Sequence, residues 1–419
     1  MERFFTSRQE VIMRSRNLAA HRWAQFGKNI FSEMSELAKE AGAVNLAQGF
    51  PDERGPERVL MALKKQLEQG THQYAPYIGE PRMREAVAAH MGAFGGLEYN
   101  PDTEITITTG ATEAIYSAIN AFVNPGDRVL IFDPSFDTYA QAVANAGGVL
   151  VPVQLHAPDT PLGLRWGGWA VDWEEFSLAA KEGFSLLILN SPHNPTAKVF
   201  AREELLRIAE EVQKQNAIVL SDEVYEHVVF DDSEHISLAT FPGMRERVVR
   251  VSSVAKTFGF TGFKLGWVCA VPELTATIRL VHQAVVFCTP SHIQLAFAEI
   301  LLDDDWTRDW VQAQKAELAS RRTLLSDSLA RAGFRVEPTR GTYFLLANYD
   351  ELSTCSNAMR FCRDLVARRK VACIPVSAFS LKLSQENFWL RFAFCKSRDS
   401  IARAGKLLCC GEVGSSVSE

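Results

Sequence analysis

Three stretches, "FSLLILNSPHNPT", "AIVLSDEVYEHVVF" and "RVVRVSSVAKTF", each open on an apolar run and turn polar at its C-terminal end. Runs this short, separated by helical segments, read as strands buried on both faces of a largely parallel sheet. "EITITTGATEAIYSAINAFV" and "DRVLIFDPSFDTYAQAVANAGG" add strand–turn–helix units upstream. Ligands of such sheets gather beyond the C-terminal strand ends, where this chain carries its Asn, Asp, Tyr, Ser and Lys. The pattern breaks near "LLDDDWTRDW". Beyond it, the long amphipathic helix "VQAQKAELASRRTLLSDSLARAG" and the alternating strands "FRVEPTRGTYFLLANY" and "NFWLRFAFC" predict a second, α+β unit. The closing "GEVGSSVSE" reads as a mobile tail.

A chain of 419 residues has room for one large and one small domain. Its formal charge of −6 argues against a duplex partner, which needs a concentrated basic surface. The eight cysteines form no CxxC pair, so neither a zinc ribbon nor a thioredoxin-type site is indicated. With no acceptor sequon for N-glycosylation either, a reducing, cytoplasmic setting is expected. No apolar run approaches the roughly 18 to 20 residues that cross a bilayer. Arg3, Arg8, Arg14, Arg16 and Arg22 are interrupted by Glu2 and Glu10. They read as an N-terminal arm of the working protein, a mitochondrial transit peptide being the alternative.

Four strand ends carry the chemistry. Gly110, Ala111 and Thr112 in "TTGATEA" form a strand-to-helix turn whose free N–H groups suit a phosphate; taken alone, such a turn is more often only a turn. Asn190 and Asn194 in "LNSPHNPT" are either turn formers or donors to a polar ring substituent. Asp222 in "LSDEVYE" sits at the edge of the buried zone, where an unpaired carboxylate is costly. It is either a helix N-cap or the partner of a cation such as a protonated heterocyclic nitrogen. In "SSVAKTFGFTGFKLG", Lys256 and Lys264 lie among Ser, Thr, Gly and Phe with no acid nearby. A single lysine is ordinarily a solvated surface charge. In this setting Ser253 and Lys264 suit an anion, and Lys256 suits an amine that loses its proton near neutrality. All four motifs call for one ligand, a phosphorylated heteroaromatic aldehyde with a protonatable ring nitrogen: pyridoxal 5′-phosphate.

With "NLAQGFPD", "QYAPYIG", "DPSFDTY", "GTYFLL" and "RFAFCK" added, the chain resembles the fold-type I pyridoxal-phosphate aminotransferases from "IFSEMSELA" to "LRFAFCK". The similarity is to the branch of kynurenine aminotransferase I/glutamine transaminase K and bacterial methionine aminotransferases. It implies an α/β fold with three parts. Residues 1–50 would form an N-terminal arm and part of the small domain, and 51–304 a large cofactor domain with a mostly parallel seven-stranded sheet. Residues 305–419 would complete the small α+β domain. By the same resemblance Lys256 is the Schiff-base lysine, Asp222 pairs with the ring nitrogen, and Asn194 and Tyr225 bond the ring oxygen. Phe136 stacks on the ring. Ala111, Thr112, Ser253 and Lys264 hold the phosphate, joined by Tyr74 from a second subunit of a homodimer. Arg391 clamps the substrate α-carboxylate, assisted by Asn190 and the Gly49 backbone. Phe31, Tyr77 and the other subunit's Phe287 line an apolar wall.

The implied reaction is ping-pong transamination with a 2-oxo acid, with Lys256 moving the Cα proton. The wall favours apolar, aromatic or sulfur-containing amino acids, glutamine or kynurenine. Cysteine-S-conjugate β-elimination and N-succinyl-diaminopimelate transamination are the alternatives. Ala197 departs from the glycine common in relatives at "NPTAK". A nucleotide-binding dehydrogenase is disfavoured, since neither GxGxxG nor GxxxxGK[ST] occurs.

Overall fold

The computed structural model describes residues 20–409 apart from 25, 28, 71 and 384–386. The arginines Arg3, Arg8, Arg14 and Arg16 of the N-terminal arm and the "GEVGSSVSE" tail lie outside the described residues. The first strand, β1 (Val44–Asn45), is followed by β2 (Ile105–Thr108), β3 (Arg128–Asp133), β4 (Val149–His156), β5 (Ala170–Val171), β6 (Leu186–Asn190), β7 (Ile218–Asp222), β8 (Val248–Ser253) and β9 (Gly266–Cys269). Strands β2 to β9 form one sheet in the order β2-β9-β8-β7-β6-β3-β4-β5. Its centre is parallel from β4 through β3, β6 and β7 to β8. At one edge β9 runs antiparallel to both β8 and β2.

Seven strands match the expected sheet, and β5 adds a short eighth. It pairs antiparallel with the end of β4 through Leu155↔Val171 and His156↔Ala170 only. Its brevity has a local cause. Gly167 and Gly168 turn the chain at positive φ just before it, and Asp172 starts a helix just after it by accepting from the Glu175 amide.

Alternation through the central strands supplies both faces of the sheet with apolar side chains. From β3, Val129 and Ile131 join Ile115 and Ile119 of the helix Gly110–Phe122 on one face. Leu130 and Phe132 join Phe176, Leu205 and Ile208 on the other. Each such side chain contributes roughly 1.5–3 kcal/mol when fully buried, so these short strands are held by their neighbours rather than by length. The register places Asn190 directly opposite Asp222 and Ser253 opposite Gly266. Three strand ends thus deliver polar side chains to one place.

The second layer is the antiparallel sheet β10-β11-β14-β13, built from β10 (Arg335–Val336), β11 (Phe344–Asn348), β13 (Ile374–Pro375) and β14 (Trp389–Ala393). The expected long helix spans Asp304–Arg331. Strand β12 (Val371–Ala372) pairs in parallel with β1, and the Ala393 amide donates to the Leu46 carbonyl at 2.7 Å. The segment after residue 43 is therefore anchored to this second layer. Among the described residues, no helix is long and apolar enough to cross a membrane.

Candidate active site

A cavity of about 200 Å³ opens at the ends of β6, β7 and β8, beside the first turn of helix Gly110–Phe122. That turn has no side-chain cap at Thr109, so its first N–H groups are free for an anion. Gly110 takes φ +75°, and a Cβ there would stand 3.2 Å from Lys264 Cε and 3.4 Å from its Nζ. The Lys264 ammonium is thus packed against the same helix N-terminus. On the opposite side a Cβ on Gly266 would lie 2.8 Å from both the Ala111 nitrogen and the Gly110 carbonyl carbon. Backbone cannot yield there, so only glycine lets β9 approach. Ala111, Thr112, Ser253 and Lys264 all line this end of the cavity, a cradle suited to phosphate.

In the middle of the cavity Asp222 is buried. Its Oδ2 accepts from the Tyr139 hydroxyl at 2.6 Å and its Oδ1 from the Val224 amide at 3.3 Å. Burial pushes its pKa up to about 6, against the pull of these two donors and of the Lys256 charge. A carboxylate so placed is best stabilised by a cation at its free face. Lys256 follows β8 in the short helix Val254–Thr257. Its Nζ lies 5.7 Å from the Tyr225 ring centroid and 5.6 Å from that of Tyr343. Desolvation pulls the ammonium down to about 8; Cys395 and Asp222 oppose this, and Lys264 and Arg391 reinforce it. In cofactor-free protein, labelling of Lys256 by an amine-selective reagent, followed by peptide mass spectrometry, should rise with a midpoint near pH 8. A midpoint at the ordinary lysine value would contradict this environment.

Arg391, on β14, is fully buried. Its Nη1 donates to Asn194 Oδ1 at 2.5 Å and its Nη2 to the Ala47 carbonyl at 3.1 Å, while Nε has no partner. The guanidinium carbon lies 3.9 Å from the Phe344 ring centroid, 4.5 Å from that of Phe379 and 5.4 Å from that of Phe31. Among the described residues no carboxylate is within ion-pair distance, and burial pulls its pKa down to about 10. A buried, unpaired guanidinium with a free N–H is costly and is the natural seat of a small carboxylate, which it can grip with two parallel bonds.

The remaining expected residues divide in two. Phe31 and Phe136 face each other with ring centroids 6.5 Å apart, and Phe31 meets Phe379 edge-on at 5.6 Å. Gly49 offers its carbonyl to the Tyr343 hydroxyl at 2.5 Å, and a Cβ there would stand 2.6 Å from Phe344 Cζ. Tyr225 is buried edge-on to Tyr343, and desolvation raises its phenol above the ordinary value.

Asn190 lines the cavity and is tied into its own loop. Its Nδ2 donates to the Asp222 carbonyl at 2.9 Å and its Oδ1 accepts from the Asn194 amide at 2.7 Å. Both ends of the amide hold the loop, so Asn190 also positions Asn194. Tyr77 is 40% exposed and does not line this chain's cavity; its carbonyl is hydrogen-bonded to His282 Nε2 at 2.8 Å. Tyr74 and Phe287 pack edge to face on the surface at 5.4 Å, outside this chain's own cavity.

Four residues escaped the sequence reading: Tyr139, Tyr343, Phe344 and Phe379. The signal for Tyr139 was available, since it stands three residues after Phe136 on one helical face. The phosphate cradle, the buried carboxylate and the amine of lowered proton affinity together fit pyridoxal 5′-phosphate, and the orphaned Arg391 Nε fits a carboxylated substrate.

The model of the aminotransferase class I and II family matches residues 41–406. A probable N-succinyldiaminopimelate aminotransferase, DapC, of Mycobacterium tuberculosis is 40% identical over 395 residues, 92% of this chain and 97% of that protein. A solved N-succinyldiaminopimelate aminotransferase structure from that organism superposes with a TM-score of 0.88 at 40% identity, covering 93% of this chain and 99% of the other. Escherichia coli methionine aminotransferase is 37% identical over 384 residues, 92% and 96% of the two chains. The kynurenine–oxoglutarate transaminase of Dictyostelium discoideum is 35% identical over 408 residues, 91% and 93%.

Proposed function

Because the chain belongs to the aminotransferase class I and II family, and so is a pyridoxal-phosphate-dependent transferase of amino groups, we propose that its amino donor is an L-amino acid with an apolar, aromatic or sulfur-containing side chain, glutamine and kynurenine included. The observation that carries this reading is the setting of Arg391: a guanidinium without a carboxylate partner, enclosed by Phe31, Phe344 and Phe379. The names of the Escherichia coli and Dictyostelium relatives support it.

When bound, the cofactor supplies an electron sink for the pair left by the departing Cα proton. The chain's residues do the rest. The helix N-terminus at Ala111 and Thr112, with Ser253 and Lys264, binds phosphate. Asp222 holds a proton on the ring nitrogen. Arg391 orients the substrate carboxylate, and the rings around it exclude water. Lys256 Nζ, its ammonium pulled down to about 8, takes the Cα proton and would pass it to the cofactor carbon that receives the amino group. The exposed Tyr74–Phe287 pair supports a homodimer in which these rings reach the neighbouring subunit's site.

A second reading, N-succinyl-diaminopimelate transamination, is favoured by the name of the 40% identical relative. Against it, among the described residues lining this cavity the cations are Lys256 and Lys264, both at the cofactor end; Arg54 and Arg321 line the adjoining cavity beyond Lys256. A half-reaction screen of the reconstituted enzyme decides. Methionine, phenylalanine, tyrosine, glutamine and kynurenine should exceed aspartate, glutamate and N-succinyl-diaminopimelate in kcat/KM. A tenfold advantage for the last would replace the first reading. Pyruvate and ammonia released from a cysteine S-conjugate would add β-elimination to it.

A further inference from the structure

We propose that Tyr139 is a positioning residue for Asp222, keeping its carboxylate ionised and aimed at the cofactor's ring nitrogen; this rests on the cofactor reading above. The contact is direct, 2.6 Å from the Tyr139 hydroxyl to Asp222 Oδ2. It is the one side-chain donor to Asp222 among the described residues, the other bond coming from the Val224 amide. Tyr139 is 2% exposed, so its hydroxyl has no recourse to solvent. It stands on the first turn of the helix Asp137–Ala146, whose N-cap is the cavity-lining Phe136, and the two rings meet edge-on at 5.8 Å and 84°. One helical turn therefore places both the ring wall and the hydroxyl, and neither can shift without the other.

A neutral donor on a carboxylate favours its charged form. Two charges face Asp222, with opposite effects. Lys256, from the helix after β8, favours ionisation, and the adjacent Glu223 disfavours it. Facing Tyr139 are Asp222, Tyr225 and Asp137, and with burial they push its phenol well above the ordinary value. Tyr139 thus stays a protonated donor across the working range. Removing the donor moves the Asp222 pKa further up from about 6, into the neutral region. The carboxylate then carries less charge at pH 7 and holds the ring-nitrogen proton less firmly.

The test uses the full chain stripped of cofactor and titrated from pH 5 to 9 with two ligands. One is pyridoxamine 5′-phosphate; the other is its analogue with carbon in place of the ring nitrogen. Tyr139→Phe should weaken the nitrogen-bearing ligand about 3- to 10-fold at pH 7, with its acid limb moved up by about half to one unit. Affinity for the carbon analogue should not change. Equal loss for both ligands, or loss for neither, overturns the inference. Tyr139→His restores a ring donor and should bring the acid limb back to within half a unit of the parent. A persistent shift also overturns it, and this arm decides if Tyr139→Phe does not fold. If the parent protein itself fails to bind pyridoxamine 5′-phosphate, the cofactor reading fails instead.

Discussion

Lys256→Ala should fold normally and lose transamination by about four orders of magnitude or more. Proton transfer by a placed amine contributes roughly 10²–10⁴ in rate, and the same substitution also removes the nucleophile that holds the cofactor. Little of the fold depends on this amine. Val254 and Thr257, its helix neighbours, are buried and fix the turn without it. The sign of the charge effect supports the same expectation. The folded-state pKa of about 8 lies below the ordinary value of 10.5, so below pH 8 the folded protein carries a desolvated ammonium that the unfolded chain solvates freely. Removing it relieves that cost, and the melting temperature of the cofactor-free variant at pH 7 should equal or exceed the parent's. Stopped-flow half-reactions with methionine and calorimetry of the cofactor-free forms measure the two effects. A small primary amine added to the variant should return part of the rate, because it can accept the proton Nζ would have taken. A variant within tenfold of the parent would remove Lys256 from the chemistry.

The second large effect is expected at Arg391. Breaking a buried, charge-paired carboxylate contact costs about 2–5 kcal/mol, so Arg391→Ala should lower kcat/KM for an α-amino acid by roughly 30- to 4,000-fold. Arg391→Lys should fall between, since a point charge cannot offer the two parallel donors. An amine donor without the carboxylate discriminates. Its poor rate should be nearly the same in parent and variant if the guanidinium acts on that group alone. Equal losses for both donors would show instead that Arg391 supports the architecture, through Asn194 and the Ala47 carbonyl.

The reach of sequence reasoning follows the physics of each residue. Lys256, Asp222 and Asn194 drew attention because a charge or amide at an apolar strand end has few inexpensive explanations, and it was their joint occurrence that outweighed the bland reading of each; Arg391, on an alternating strand, was named by the resemblance alone. The parallel centre of the sheet was legible because β6 and β7 are apolar on both faces. The antiparallel edge was not, for "ITIT" and "GWVC" carry no mark of direction. Asn190 shows a different limit. Its position was found, but whether an amide meets ligand or backbone depends on a loop that turns back on it within four residues. Phe344 and Phe379 look like ordinary core residues along the chain, and only the sheet pairing Leu346↔Arg391, with β13 on the other side, brings them around the guanidinium. Tyr77 shows a third limit: its carbonyl is hydrogen-bonded to His282, some two hundred residues away, a contact that nothing near Tyr77 in the chain announces.

The two halves of the site also differ in when a growing chain acquires their residues. The residues that line the cofactor cavity, from Gly110 to Lys264, have all been made once β9 is complete. The guanidinium and two of its three rings arrive only with β11, the Phe379 turn and β14, and they must then find Ala47, 344 residues back. Closing so long a loop comes late and slowly. The cofactor end leans on those same late segments: Tyr225 shares a core with Tyr343 and Phe344, and the Ser135 amide donates to the Phe379 carbonyl at 2.8 Å, so both ends of the cavity are completed together.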